Sequence, residues 1–125
     1  HNQLRALSAL CAILIAIPPN LEARTKKGDK LVKQGQAAEA RGEFVAALRL
    51  FEQAVNEDPS DTAYLMAMRR TRFRAGQSHV EAGARLRAEG KLEEALSEFQ
   101  RAISIDPSSP IALQGLRRTN DMIAQ

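Results

Sequence analysis

The chain has 125 residues, enough for one small domain, and 44% of them are hydrophobic, so it can bury a core. Aromatics make up 4% with no Trp, which leaves Ala, Leu, Val and Ile as core material and favours helices. The 18 basic and 15 acidic residues are mostly interspersed and give a net charge of +3, which argues against a nucleic-acid face; a lone cysteine, Cys11, with His1 and His79 as the histidines, excludes an internal disulfide and offers no zinc-ligand set.

The first segment is apolar. Ala6 to Ile17 is a run of 12 residues without a charge, preceded by Arg5 and followed by Pro18 and Pro19. A membrane-spanning helix needs about 20 apolar residues, whereas the hydrophobic region of a signal peptide needs about 7–15. Residues 1–23 are therefore expected to be a signal peptide cleaved after Ala23, or a short membrane anchor. The cleavage site is imperfect, since Leu21 stands where a small residue is preferred. Cys11 as a lipidation site would want a small residue before it, and Leu10 stands there. If cleaved, the segment places residues 24–125 outside the cytoplasm; if retained, residues 6–17 associate the protein with a membrane.

Residues 24–125 contain an internal repeat. Gly35–Thr71 aligns with Gly83–Thr119 at an offset of 48 without gaps, and 14 of 37 positions are identical, including the closing Arg-Arg-Thr of each copy. Such self-similarity signals one supersecondary unit stacked on its own copy. Ala47, Phe51 and Ala54, at i, i+4 and i+7, share one helical face, and Asp58-Pro59 stops that helix. The second copy repeats this with Ala95, Phe99, Ala102 and Asp106-Pro107. Gly42 and Gly90 fall where one helix must turn into the next. Gly35 and Gly83 fall inside helices, where Gly costs about 1 kcal/mol relative to Ala; a neighbouring backbone passing close by would account for them. Ser109-Pro110 reads as an N-cap followed by Pro at the first helical position, opening a helix to about Ile123.

These residues resemble the tetratricopeptide (TPR) repeat. A small residue, then A-x3-F-x2-A-x4-P, is met by Gly35, Ala47, Phe51, Ala54 and Pro59, and again by Gly83, Ala95, Phe99, Ala102 and Pro107. The first helices depart from the pattern: Leu31 and His79 stand for Trp, Gln34 and Ala82 for Leu, Ala38 and Leu86 for Tyr. TPR units recur every ~34 residues. The extra 14 residues amount to almost four turns at 3.6 residues per turn. The spacing thus predicts an all-α fold of two helix-turn-helix units joined by one long helix over 62–89, with a C-terminal helix after them. Ser78-His79-Val80-Glu81 offers the alternative, a capping box that restarts the helix after Gly76.

The resemblance implies a peptide groove lined by first-helix residues: Val32, Gln36 and Glu39 in the first copy, Val80, Ala84 and Arg87 in the second. The TPR subclass that grips a C-terminal carboxylate places Lys and Asn at the first two of these positions; Val32 and Gln36 stand there, so that clamp is absent. With about three units normally needed for stability, two imply either homo-oligomerisation or support from the long helix and the C-terminal cap. Arg69–Ile123 further resembles the helical N-terminal region of bacterial secretin-type proteins, the outer-membrane channels of type II secretion and type IV pilus systems. That likeness implies a periplasmic or outer-membrane-associated scaffold with secretion or pilus components as partners. The alternative is an accessory subunit held in a larger membrane complex by an uncleaved N-terminal helix.

Nothing in the sequence suggests an enzyme or a cofactor. Gly28-Asp29-Lys30 lacks the Gly spacing of a phosphate-binding loop, and Glu93 and Glu94, adjacent on a helix, point apart. His79 has no partner visible in the sequence. Arg69, Arg70, Arg72 and Arg74 form a dense cluster, read either as interhelical ion pairs with Glu52, Glu57 or Asp61, or as a basic patch. Successive helical residues point about 100° apart, so the four cannot share one neighbour. Arg72 is expected to meet a carboxylate or carbonyl on the packing face. Arg70 and Arg74, at i, i+4, are expected to face an external acidic protein.

Overall fold

A computed structural model of the chain describes the backbone of residues 19–125 and the side chains of residues 26–125. The apolar run at 6–17 lies outside the described residues. Among the described residues five helices follow one another: α1 (Pro19–Ala40), α2 (Phe44–Glu57), α3 (Thr62–Ala88), α4 (Leu92–Ile105) and α5 (Pro110–Ala124). The described residues form an all-helical, TPR-like fold. Among the described residues no helix is long and apolar enough to cross a membrane.

The helix ends follow from local chemistry. Gly42 and Gly90 adopt φ of 75° and 79°, the left-handed region that Gly enters without a Cβ clash. Each closes its helix with the same pair of bonds: Glu43 N–H to Ala38 O at 2.9 Å with Gly42 N–H to Glu39 O at 2.9 Å, and Lys91 N–H to Leu86 O at 2.9 Å with Gly90 N–H to Arg87 O at 3.0 Å. This is the Schellman ending. Asp61 and Ser109 cap α3 and α5 by accepting from Tyr64 N–H at 3.1 Å and Ala112 N–H at 3.2 Å. Pro110 occupies the first turn of α5, where its missing N–H is not needed.

The length of the repeat has its explanation in α3. Its first half closes a three-helix unit with α1 and α2, and its second half opens a second unit with α4 and α5. The closing helix of one copy and the opening helix of the next are therefore a single rod of 27 residues, about 40 Å long at 1.5 Å per residue. The helix is continuous through Gly76 and the Ser78–Glu81 stretch. Gly76 is buried there, and a Cβ on it would come within 3.3 Å of Asp106 Cβ.

Each unit has its own small core. In the first, Phe51 is fully buried with Ala38, Ala47 and Ala67; in the second, Phe99 is buried with Val80, Ala95, Ala102 and Ala112. Ala54 is also fully buried, while Pro59 and Pro107 lie exposed in the turns after α2 and α4. The in-helix glycines serve these rings, and not a neighbouring backbone as their spacing suggested. A Cβ on Gly35 would lie 2.6 Å from Phe51 Cε1, and one on Gly83 2.9 Å from Phe99 Cε2. A Cβ on Gly115 of α5 would also run into the Phe99 ring. At the far end of the first unit Tyr64 packs over Gly28 and donates its hydroxyl to Asp29, tying α3 to α1. Burial, then that hydrogen bond and the charges of Asp29, Asp61 and Asp58, push the phenol pKa upward and keep it protonated.

With a ring at the centre of each small core, Phe99→Ala should destabilise the fold by about 3–5 kcal/mol. Denaturant unfolding monitored by circular dichroism will read this. A midpoint unchanged from wild type would show that the Phe99 contact contributes nothing.

Candidate functional site

The second unit holds a groove between the second half of α3 and α5. Val80, Ala84 and Arg87 form one wall, Ile111, Gln114 and Arg118 the other, and Phe99 with Gly115 the floor; the cavity has a volume of about 190 Å³. Helical spacing produces the walls. Residues 80, 84 and 87 lie at i, i+4 and i+7 on α3, and 111, 114 and 118 at i, i+3 and i+7 on α5, so each triplet shares a face. Glycine at 83 and 115 lets both helices approach the Phe99 ring. Ile111 is 54% exposed, an apolar group left open to solvent at the rim.

Arg87 dominates the electrostatics of this groove. Its guanidinium carbon stands 5.4 Å from the centroid of the Phe99 ring, a cation–π arrangement. Its Nη1 is buried and has no hydrogen-bond partner among the described residues. Arg118, on the opposite wall, has no carboxylate partner among the described residues either. Two cations therefore line one small cavity with no described anion between them.

The corresponding place in the first unit is built differently. Adding 48 carries Glu39 to Arg87, Arg70 to Arg118 and Thr71 to Thr119. Glu39 is part-buried and accepts from the Thr71 hydroxyl at 2.6 Å, while its other oxygen lies 3.8 Å from Arg70 Nη2. A glutamate thus neutralises the arginine across the groove. In the second unit Thr119 has no such glutamate and donates to its own helix, to Gly115 O at 2.7 Å.

Of the groove residues expected in the first copy, Val32 packs against the Phe51 cluster, Gln36 is exposed, and Glu39 is engaged as described. The arginine cluster divides as its helical geometry requires. Arg72 reaches Glu52 of α2 at 3.3 Å, and Arg70 turns to Glu39. Arg74 lies apart from them, beside Phe44 and the exposed Phe73. The α5 wall was not singled out from the sequence. Its signal was present, since Arg117 and Arg118 are the images of Arg69 and Arg70.

Residues 83–116, from α3 through α4 into α5, match the profile of the TPR repeat. Six of the eight groove residues fall within that stretch, Val80 and Arg118 lying outside it. Among solved structures, the first TPR of Spaghetti (RPAP3) bound to an HSP90 peptide is similar at 19% identity and a TM-score of 0.40, covering 81% of this chain and 96% of that one. The first TPR domain of the human RPAP3 protein is similar at 19% identity and a TM-score of 0.39, covering 78% of this chain and 93% of that one. No curated protein matches the chain.

A second polar cluster lies on the α3–α4 interface. His79 Nδ1 and Glu98 Oε2 are 2.6 Å apart, and Arg101 Nη1 donates to Glu98 Oε1 at 2.6 Å. His79 therefore has a partner on the next helix, which the sequence did not disclose. Burial acts to raise the Glu98 pKa, but the hydrogen bond and charge of His79, then those of Arg101, outweigh it and hold the carboxyl below its ordinary 4.5. A carboxyl with a depressed folded-state pKa stabilises the fold above its unfolded-state value and loses that contribution as pH falls through the folded-state value. Glu98→Gln should therefore be less stable than wild type near neutral pH, and the difference should shrink as pH drops below about 4.5. Thermal melts across pH will check this; a gap that is constant with pH would contradict the assignment.

Proposed function

We propose that the protein is a protein-interaction scaffold that holds a segment of a partner in the groove between α3 and α5. The observation that carries this reading is the open cavity at Val80, Ala84 and Ile111: an apolar rim and two cationic side chains presented by rigid helices. Such a surface binds by shape and charge and fits an extended or helical segment. The finer reading is an extracytoplasmic scaffold in a secretin-type secretion or pilus assembly. It draws on the likeness of Arg69–Ile123 to secretin N-terminal regions and on the uncharged run at 6–17. A membrane-anchored accessory subunit would present the same groove with residues 6–17 retained.

Site-specific photocross-linking in the native host tests the reading. A photoreactive phenylalanine analogue at Ala84, in the groove, should cross-link to a defined segment of one partner, identified by mass spectrometry. The same analogue at exposed Glu94 on α4 should not. Identical products from both positions, or none from Ala84, would overturn the groove reading. A secretin or pilus component as the partner supports the finer assignment, and a cytosolic partner contradicts it.

A further inference from the structure

The two units are copies, and the residues that wall the groove of the second differ in charge from their images in the first at one position, Arg87 against Glu39. Where the first has Glu39 facing Arg70, the second has Arg87 facing Arg118. The first groove is neutral by its own side chains; the second carries two positive charges on opposite walls. A buried guanidinium N–H without an acceptor destabilises the state that holds it. Arg87 Nη1 is such a group; it is itself closed to solvent, so a carboxylate in the cavity would meet Arg87 through the part of the side chain that lines it.

We propose that the groove of the second unit is a glutamate-binding site, completed when a partner protein inserts a glutamate side chain between Arg87 and Arg118. Unit one shows a carboxylate facing the image of Arg118, presented by Glu39 from the place that Arg87 takes in unit two. There a glutamate carboxylate lies between an arginine and a threonine hydroxyl, at 3.8 and 2.6 Å. The partner's glutamate supplies in trans what Glu39 supplies in cis. Arg87 is held by its stacking on Phe99, so little side-chain freedom is lost when the carboxylate arrives. Thr119 is committed to Gly115 O, which leaves the two arginines as the recognising groups. Apolar residues flanking the glutamate would cover the exposed Ile111 at the rim. This inference rests on the groove reading proposed above and names the chemistry of the occupant.

The test uses the full chain and three pools of fluorescent nonapeptides with mixed Ala, Leu, Ile and Ser. One has a central Glu and both ends blocked, one a central Gln and both ends blocked, and one no Glu but a free C-terminal carboxylate. The Glu pool should bind at least about tenfold tighter than the Gln pool, the scale of one charge-assisted hydrogen bond. Arg87→Glu, which installs the Glu39 counterpart opposite Arg118, should abolish that preference while raising the melting temperature. Arg87→Gln should abolish it as well, keeping the test valid if the reversal misfolds. Equal binding of the Glu and Gln pools, or a preference that survives Arg87→Gln, would overturn the glutamate site and leave the groove reading intact. Tighter binding of the free-carboxylate pool than of the Glu pool would overturn it in favour of chain-end recognition. Binding of no pool would overturn it too, and the groove reading would then be decided by the Ala84 cross-links.

Discussion

The contact between a buried phenylalanine ring and a glycine in the facing helix sets the geometry of both units. In a domain with four Phe, one Tyr and no Trp, Phe51 and Phe99 are the largest side chains fully removed from water. Each ring occupies the volume that a Cβ would take on Gly35 or Gly83. The glycines weaken their helices locally, and the close approach of ring to backbone offsets this by filling the core without a void. The alanines around each ring set the remaining walls. Because Phe99 is bounded by glycines on two helices, α3 and α5 both come close to it, and the groove above the ring is narrow as a result.

The shared helix follows from the same packing. A unit made of an opening helix, a ring-bearing helix and a closing helix is complete in itself. The chain joins two such units by letting the closing helix of one run on as the opening helix of the next. This gives a small protein two separate cores on one rod, and ion pairs such as Arg72–Glu52 join the rod to its neighbours. It also frees the two grooves to differ. Exchanging Glu39 for its image Arg87 keeps the apolar residues of each core, although Arg87 also lies against the Phe99 ring. It changes the charge of the surface above the core.

Much of the fold was legible in the sequence because the repeat supplies two readings of each position. Ala47, Phe51 and Ala54 share a period that only a helix satisfies, and their images at Ala95, Phe99 and Ala102 repeat it. The turns at Gly42 and Gly90 and the caps at Asp61 and Ser109 are local chemistry, which sequence carries well. The role of Gly35 and Gly83 is less legible: spacing shows that something comes close, not whether it is a backbone or a ring. Side chains that meet across helices were harder still. His79 finds Glu98 on the next helix, and Arg70 turns to Glu39 across the groove, through tertiary geometry that no local pattern encodes. The second wall of the groove comes from α5, which the first-helix pattern does not include, although the offset of 48 leads from Arg70 to Arg118.

The claim that each ring occupies a glycine's side-chain space can be measured with a double-mutant cycle on Gly83 and Phe99. Gly83→Ala alone should destabilise the protein, because its Cβ would meet the trapped ring at 2.9 Å. In a Phe99→Leu background, with the ring gone, the same substitution should stabilise by up to about 1 kcal/mol, the helix-propensity gain of Ala over Gly. A change of sign between the two backgrounds is the predicted result. Stabilisation by Gly83→Ala in both backgrounds would show that the ring does not need the glycine and would contradict the account.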